Sequence, residues 1–206
     1  MFTGIVQASV AAKNVVDKEN LKQFSVDLPE TLQSGLSIGA SIAIDGVCLT
    51  VTTIDAGRVS FDVIGQTLAV TTIGKVCEGY TVNLERSARY GDEVGGHILS
   101  GHIDATAEIV AIELTENNKT VWYEIAPHLH KYVFERGFVA LNGCSLTVAK
   151  VNEKHQFAVC YIPETLRATT HGAKVQGDTI NLEIDRQTQA IVDTVERSLA
   201  AKSLAS

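Results

Sequence analysis

Short alternating runs of apolar and polar residues dominate this chain. In RVSFDVIG the side chains of Val59, Phe61 and Val63 share one face, and in KTVWYEI those of Val121, Tyr123 and Ile125 do. The same alternation puts Tyr80, Val82 and Leu84 together in GYTVNLE, and Ile180, Leu182 and Ile184 together in DTINLEI. A period of two is that of a β-strand with one buried face. Turn-forming pairs interrupt the runs: Asp45 with Gly46, Asp55 with Gly57, Asn117 with Asn118, and Asn142 with Gly143. Many short strands with such turns predict an all-β sandwich or closed barrel.

Three segments read differently. Residues 28–39 (LPETLQSGLSIG) and 126–137 (APHLHKYVFERG) each carry Pro near the start and Gly at the end, which predicts a short helix in each. From Gln187 the chain reads QTQAIVDTVERSLAAKSLAS, with Ile191, Val195 and Leu199 at four-residue steps. That spacing predicts an amphipathic helix with a narrow apolar stripe. Periodicity alone leaves open whether the stripe packs on its own domain or against other copies of the chain.

The pattern occurs twice. Residues 40–51 (ASIAIDGVCLTV) match 137–148 (GFVALNGCSLTV) with five identities in twelve positions. IGQTLAVTTIG at 64–74 matches IPETLRATTHG at 162–172, and TVNLE at 81–85 matches TINLE at 179–183. Three blocks in the same order, offset by 97 to 98 residues, make the chain a tandem duplication. The expected division is a first barrel over 1–96, a second over 97–186 and a tail helix over 187–206, with the boundary near DEVGGH at 92–97.

Composition narrows the functional classes. A net charge of −7 and a pI near 5.3 argue against nucleic acid or an anionic membrane surface as the main partner. The start, MFTGIVQ, lacks the basic and apolar regions of a signal peptide, and no apolar run reaches membrane-spanning length. Cys48, Cys77, Cys144 and Cys160 form no CxxC pair, so free thiols in a reducing cytoplasm are expected.

Comparing the halves separates shared from divergent positions. Gly46/Gly143, Thr50/Thr147 and Thr67/Thr165 are shared and should serve the fold or a common ligand. Ile5 against His102, Ser41 against Phe138, Cys48 against Ser145, and Ser87 against Asp185 differ in chemical class. A reaction between two bound molecules needs such differences. Cys48 and Thr50 lie two residues apart on one strand face, as do Ser145 and Thr147. A buried threonine hydroxyl is commonly just a satisfied core group, but recurrence beside a second polar side chain favours a ligand face. His97 and His102, five residues apart, fall on opposite strand faces, and no Cys or carboxylate completes a metal set. Histidine suits proton transfer near neutral pH; a turn-fixing role fits His97 better than His102. No phosphate-binding glycine loop is present, and no cofactor is expected.

MFTGIV at the start, GVCLTV, GGHILSGHID, GCSLTV and IPETLRATT together resemble the riboflavin synthase family, over essentially the whole chain. The resemblance implies two tandem six-stranded Greek-key barrels, each binding one 6,7-dimethyl-8-ribityllumazine. It also implies a homotrimer held by the C-terminal helices, with active sites between the first barrel of one copy and the second barrel of the next. Association with a lumazine synthase shell is compatible with it. Two lumazines would exchange a four-carbon unit, giving riboflavin and 5-amino-6-ribitylaminouracil, with no added cofactor.

Carried onto this chain, the first ligand site would use Gly4, Ile5, Val6, Ser41, Cys48, Leu49, Thr50, Asp62, Val63, Ile64, Gly65, Gln66 and Thr67. The second would use Gly101, His102, Ile103, Ser145, Leu146, Thr147, Ile162, Pro163, Glu164, Thr165, Leu166 and Arg167, with Arg136 where the family often has Lys. His102 is the implied proton-transfer group, Ser41 and Cys48 hold an activated water or adduct, and Thr147 and Asp185 complete the facing wall. The first half departs from the family's ETLR: Gln66 and Ala69 stand where the second half keeps Glu164 and Arg167. The alternative class is a non-catalytic lumazine- or flavin-binding antenna protein of related sequence.

Overall fold

The computed structural model describes residues 1–116 and 118–204. The first half contains β1 (Ala8–Lys18), β2 (Leu21–Asp27), β3 (Ser41–Ile44), β4 (Val47–Asp55), β5 (Arg58–Ile64), a short helix α1 (Gly65–Val70) and β6 (Thr81–Arg86). These strands close into an antiparallel barrel in the order β1-β2-β5-β4-β3-β6, with β6 returning to pair with β1. The predicted alternation is realised: Val59, Phe61, Val63, Val82 and Leu84 fill the barrel with Phe24, Val26, Ile42 and Ile44.

The second half repeats the plan with β7 (Ala105–Leu114), β8 (Lys119–Glu124), β9 (Phe138–Leu141), β10 (Cys144–Thr147), β11 (Lys150–Asn152), β12 (Gln156–Tyr161), a short helix α2 (Pro163–Ala168) and β13 (Thr179–Ile184). Its sheet runs β10-β9-β13-β7-β8-β12-β11. β10 and β11 stand at the two ends of that sheet but are joined in the chain by Val148 and Ala149 alone. Together they replace β4, which runs unbroken through a bulge at the same place, where its register shifts between Val51 and Thr53. A bulge in one half has become a break in the other, and the curled sheet keeps the barrel's strand order.

Each inter-strand segment forms a short helix where one was expected, in 3₁₀ rather than α geometry. The first is the single turn Glu30–Leu32 and the second the six residues Pro127–Tyr132. In the first segment Gly35 and Gly39 adopt φ of +65° and +88°; in the second Val133 is already extended and Arg136 adopts +67°, so neither helix continues to its closing Gly. Their apolar residues instead pack on the barrels: Leu28, Leu32 and Leu36 on the first core, Leu129, Tyr132 and Val133 on the second. The Asp45–Gly46, Ala56–Gly57 and Asn142–Gly143 turns have positive φ at both residues, as tight hairpins require. The Asn117–Asn118 turn lies partly outside the described residues.

The tail forms α3 (Arg186–Leu204), docked on the second half by Val192, which packs on its core, and by polar contacts. The Tyr132 hydroxyl donates to Asp193 at 2.5 Å, and Lys131 pairs with both Asp193 and Glu196. Ile191, Val195 and Leu199 lie on another face and remain 66%, 52% and 61% exposed. Among the described residues no helix is long and apolar enough to cross a membrane.

The halves meet about an approximate twofold centred on the two Gly-containing turns. A Cβ on Gly46 would fall 2.6 Å from the Gly143 nitrogen, and one on Gly143 would fall 2.9 Å from Gly46, so only glycine permits this approach. Around it the bonds are reciprocal. Asn83 Nδ2 donates to the Asn142 carbonyl at 3.0 Å and Asn181 Nδ2 to the Asp45 carbonyl at 2.8 Å. Asn181 Oδ1 accepts from the Thr72 N–H and Asn83 Oδ1 from the Thr170 N–H. Phe2, Ala43, Leu99 and Ala140 form a small apolar cluster between the barrels, with Cys48 against it.

Candidate active site

Strand alternation decides which side chains can reach a ligand. On β4, Val47, Leu49 and Val51 point into the barrel, leaving Cys48 and Thr50 on its outside. On β10, Leu146 points inward while Ser145 and Thr147 face out. Leu49, Val63 and Leu146 are therefore core side chains, able to offer a ligand only their backbone. The neighbouring strand completes each face: Ser41 lies opposite Thr50, and Phe138 opposite Thr147. The Ser41-for-Phe138 difference thus falls directly beside the shared threonine.

Each face is covered by a segment from elsewhere, and the covering is crossed. Gly4 lies on Ser145, whose N–H donates to the Gly4 carbonyl at 2.8 Å. Gly101 lies on Cys48, whose N–H donates to the Gly101 carbonyl at 2.9 Å. A Cβ on Gly4 would come within 2.5 Å of the Ser145 Cβ, and one on Gly101 within 2.6 Å of the Cys48 Cβ. Val6 packs against the second core and Ile103 against the first. This corrects the sequence-based grouping: Gly4, Ile5 and Val6 belong with Ser145 and Thr147, and Gly101, His102 and Ile103 with Cys48 and Thr50. The cause is the bridge between Phe2 and Leu99, which carries the two segments past each other.

The first face thus brings together Ser41, Cys48, Thr50, Gly101, His102 and Ile103. Ser41 and Cys48 are half-buried, whereas Thr50 and His102 are exposed. The His102 backbone is fixed, its N–H donating to Ser100 Oγ at 3.2 Å and its carbonyl accepting from Arg186 at 2.6 Å. The Ser41 carbonyl accepts from Ser87 Oγ at 2.8 Å. At the end of β5 and just beyond it, Ile64 and Gln66 are exposed, and Asp62 on β5 accepts from Gln23 at 2.8 Å.

The second face holds a group that sequence reasoning underrated. His97 places Nδ1 2.6 Å from Ser145 Oγ and stacks on Phe138 with ring centroids 5.3 Å apart. Burial pushes its imidazole below the ordinary histidine range, while the Asp185 charge opposes that shift. The available signal was the glycine before His97: a Cβ on Gly96 would fall 2.6 Å from the Ser145 Cβ, so only glycine lets the chain lie this close over Ser145. Asp185 is mainly a helix cap, accepting from the Gln187 and Thr188 N–H groups and from Thr188 Oγ1. Burial alone would raise its carboxyl, but these bonds and His97 outweigh burial and hold it below the usual range. Arg136 and Thr147 are exposed nearby in sequence.

The departure at Gln66 and Ala69 now has a local account. In α2 the guanidinium of Arg167 donates to Glu164 at 2.5 and 3.0 Å, an exposed pair one helical turn apart. The first half lacks both members of the pair, so no unpaired charge is left behind. Ile162, Pro163, Thr165 and Leu166 surround the pair, and Leu166 packs on the second core. Among the described residues no group of three or more His, Cys, Asp or Glu side chains is placed to hold a metal ion.

A family model described as the lumazine binding domain matches residues 3–87 and again 100–185. Riboflavin synthase of Escherichia coli (strain K12) is 47% identical over 203 residues, covering 98% of this chain and 95% of that protein. This chain belongs to the riboflavin synthase family. Riboflavin synthase of Chlamydia pneumoniae is 41% identical over 201 residues, covering 98% of each. Among solved structures, the crystal structure of LumP complexed with riboflavin matches with a TM-score of 0.83 at 24% identity, over 90% of this chain and 100% of that one. At that identity the likeness speaks for the fold alone. The riboflavin synthase family is one of enzymes, and the tandem barrels with a C-terminal helix expected from the sequence are the architecture found.

Proposed function

We propose that this chain makes riboflavin by dismutation of two molecules of 6,7-dimethyl-8-ribityllumazine, transferring a four-carbon unit from one to the other and releasing 5-amino-6-ribitylaminouracil. The observation that carries the reading is the pair of equivalent but unequal outer faces: Cys48 and Thr50 beside Ser41 on one barrel, Ser145 and Thr147 beside Phe138 and His97 on the other. Shared residues suit a shared ligand, and unequal ones let one molecule give while the other receives.

The chemistry asks little of the protein beyond placement and proton movement. The C7 methyl of the lumazine is acidic because its carbanion delocalises into the ring, so one molecule becomes a carbon nucleophile. The other accepts it after a nucleophile adds at its C7. Holding the two in register, moving protons and solvating developing charge supply the acceleration. On this reading His102 transfers a proton, Ser41 and Cys48 hold the added water, and Thr147 and Asp185 line the facing wall. His97, bonded to Ser145 Oγ, joins them as a polar contact of the second face.

The reacting pair would meet between the first barrel (1–96) of one copy and the second (97–186) of the next, in a homotrimer joined through the tail helix (187–206). Support comes from α3, whose exposed Ile191, Val195 and Leu199 form a stripe that its own barrel leaves uncovered. A cytoplasmic location and association with a lumazine synthase shell accord with the family. Incubating the purified protein with the lumazine and identifying the products tests the activity. Riboflavin formation is expected, whereas tight binding without turnover would make the chain an antenna protein instead.

A further inference from the structure

Glu85 and Glu183 end the paired blocks TVNLE and TINLE, and both are almost wholly buried, at 3% and 1% exposure. Among the described residues neither makes an ion pair. Each is instead surrounded by donors from one short segment. Glu85 Oε1 accepts from the Thr3 N–H at 2.6 Å and Thr3 Oγ1 at 2.8 Å, and Oε2 accepts from the Gly4 N–H at 3.1 Å. Glu183 Oε1 accepts from the Ser100 N–H at 2.7 Å and Ser100 Oγ at 2.6 Å, and Oε2 accepts from the Gly101 N–H at 3.0 Å.

A buried carboxylate is an expensive way to hold a loop: burial raises both carboxyls, and the donors of the segment, joined at Glu183 by the Arg186 charge, oppose that. What it offers is two acceptor oxygens with no donor, and the segment presents donors to both. Glutamine in the same place would turn an NH₂ toward the Gly4 or Gly101 N–H. The segment held by the first barrel's Glu85 is the one lying on Ser145 of the second barrel. The segment held by the second barrel's Glu183 is the one lying on Cys48 of the first.

We propose that Glu85 and Glu183 are positioning residues that act crosswise: Glu85 sets the wall of the second barrel's ligand face, and Glu183 sets that of the first. Each barrel's site is then assembled by a carboxylate in the other. This rests on reading those faces as lumazine sites, but the crossed control of backbone position can be tested without ligand.

The experiment compares full-length protein with Glu85→Gln and Glu183→Gln. Hydrogen exchange at the Cys48 and Ser145 amides reads the two segments directly, because each amide donates to one segment glycine. Glu183→Gln should speed exchange at Cys48 at least about tenfold while leaving Ser145 within about twofold, and Glu85→Gln should do the reverse. Ser100→Ala and Thr3→Val, which each remove one donor and keep the carboxylate, should give the same crossed pattern more weakly if the Gln variants do not fold. Equal acceleration of both amides by either variant, or acceleration confined to the substituted barrel's own face, overturns the proposal. With riboflavin as probe, protection of Cys48 from alkylation should need at least about tenfold more ligand in Glu183→Gln and an unchanged amount in Glu85→Gln. If riboflavin fails to protect Cys48 in the unaltered protein, the ligand reading of that face fails, and amide exchange still judges the crossing.

Discussion

Asp45 and Asn142 occupy the same position in the two barrels and make the same bonds. Asp45 Oδ1 accepts from the Asn83 N–H and Asn142 Oδ1 from the Asn181 N–H, both at 2.8 Å. Each is 1% exposed, yet one is ionisable and the other is not.

Burial pushes the Asp45 carboxyl up from the ordinary 3.8 to about 7, against the lowering effects of the Asn83 N–H and the Lys174 charge. The folded value exceeds the unfolded one, so its favourable contribution is complete below about pH 4 and is lost as pH rises to about 7. Asp45→Asn, copying the other half, should therefore stabilise the protein by on the order of 3 kcal/mol at pH 8 and change little at pH 4. Urea unfolding at both pH values measures this. A difference independent of pH would contradict it.

His171 acts in the opposite direction. It bonds the Leu141 carbonyl at 3.0 Å and the Tyr161 hydroxyl at 3.2 Å, and burial lowers it from 6.5 to about 4 despite the Leu141 bond. Here the folded value lies below the unfolded one, so stability falls as pH drops from 6.5 toward 4. The equivalent residue in the first barrel is Ile73, inside an apolar core. His171→Ile should flatten this acid limb and lower stability at pH 7 by about 1–3 kcal/mol through the lost bonds. Thermal unfolding at pH 4.5 and 7 tests it, and an unchanged acid limb would assign the dependence elsewhere.

Much of this fold is legible in the sequence because alternation is a local signal. Val59, Phe61 and Val63, like Val121, Tyr123 and Ile125, are buried as their period demands. The duplication made each half a check on the other, and the threonine pairs marked the outer faces. The two inter-strand helices are shorter than the stretch between their Pro and Gly signals, because those signals bound a capping loop as well as they bound a helix. α1 and α2, six residues each, are too short to show a helical period. The crossing of Gly4 and Gly101 was hidden because it depends on the distant bridge from Phe2 to Leu99, to which no local pattern points.

If His102 carries a proton in the reaction, His102→Gln should cut turnover at least about a hundredfold while the lumazine still binds. Steady-state riboflavin formation and ligand titration separate the two effects. Near-normal turnover would remove His102 from the mechanism. His102 is exposed, so its replacement should leave the fold intact, and circular dichroism of the variant checks that.

The exposed stripe on α3 gives a test of assembly. If the proposed trimer is joined through this stripe, Val195→Asp with Leu199→Asp should leave the chain monomeric, since charge in an apolar contact opposes association. Light scattering reports the mass. An unchanged mass would place any contact between copies away from this stripe, whereas loss of turnover together with a fall in mass would tie the active site to the interface.

The central claim is that two copies of one molecule react at faces made unequal by Ser41, Cys48, Ser145 and Phe138. Quantifying all three compounds after purified protein is mixed with 6,7-dimethyl-8-ribityllumazine alone tests it most directly. One riboflavin and one 5-amino-6-ribitylaminouracil for every two lumazines consumed is the predicted result. Bound lumazine recovered unchanged, or riboflavin formed without the uracil, would contradict the account.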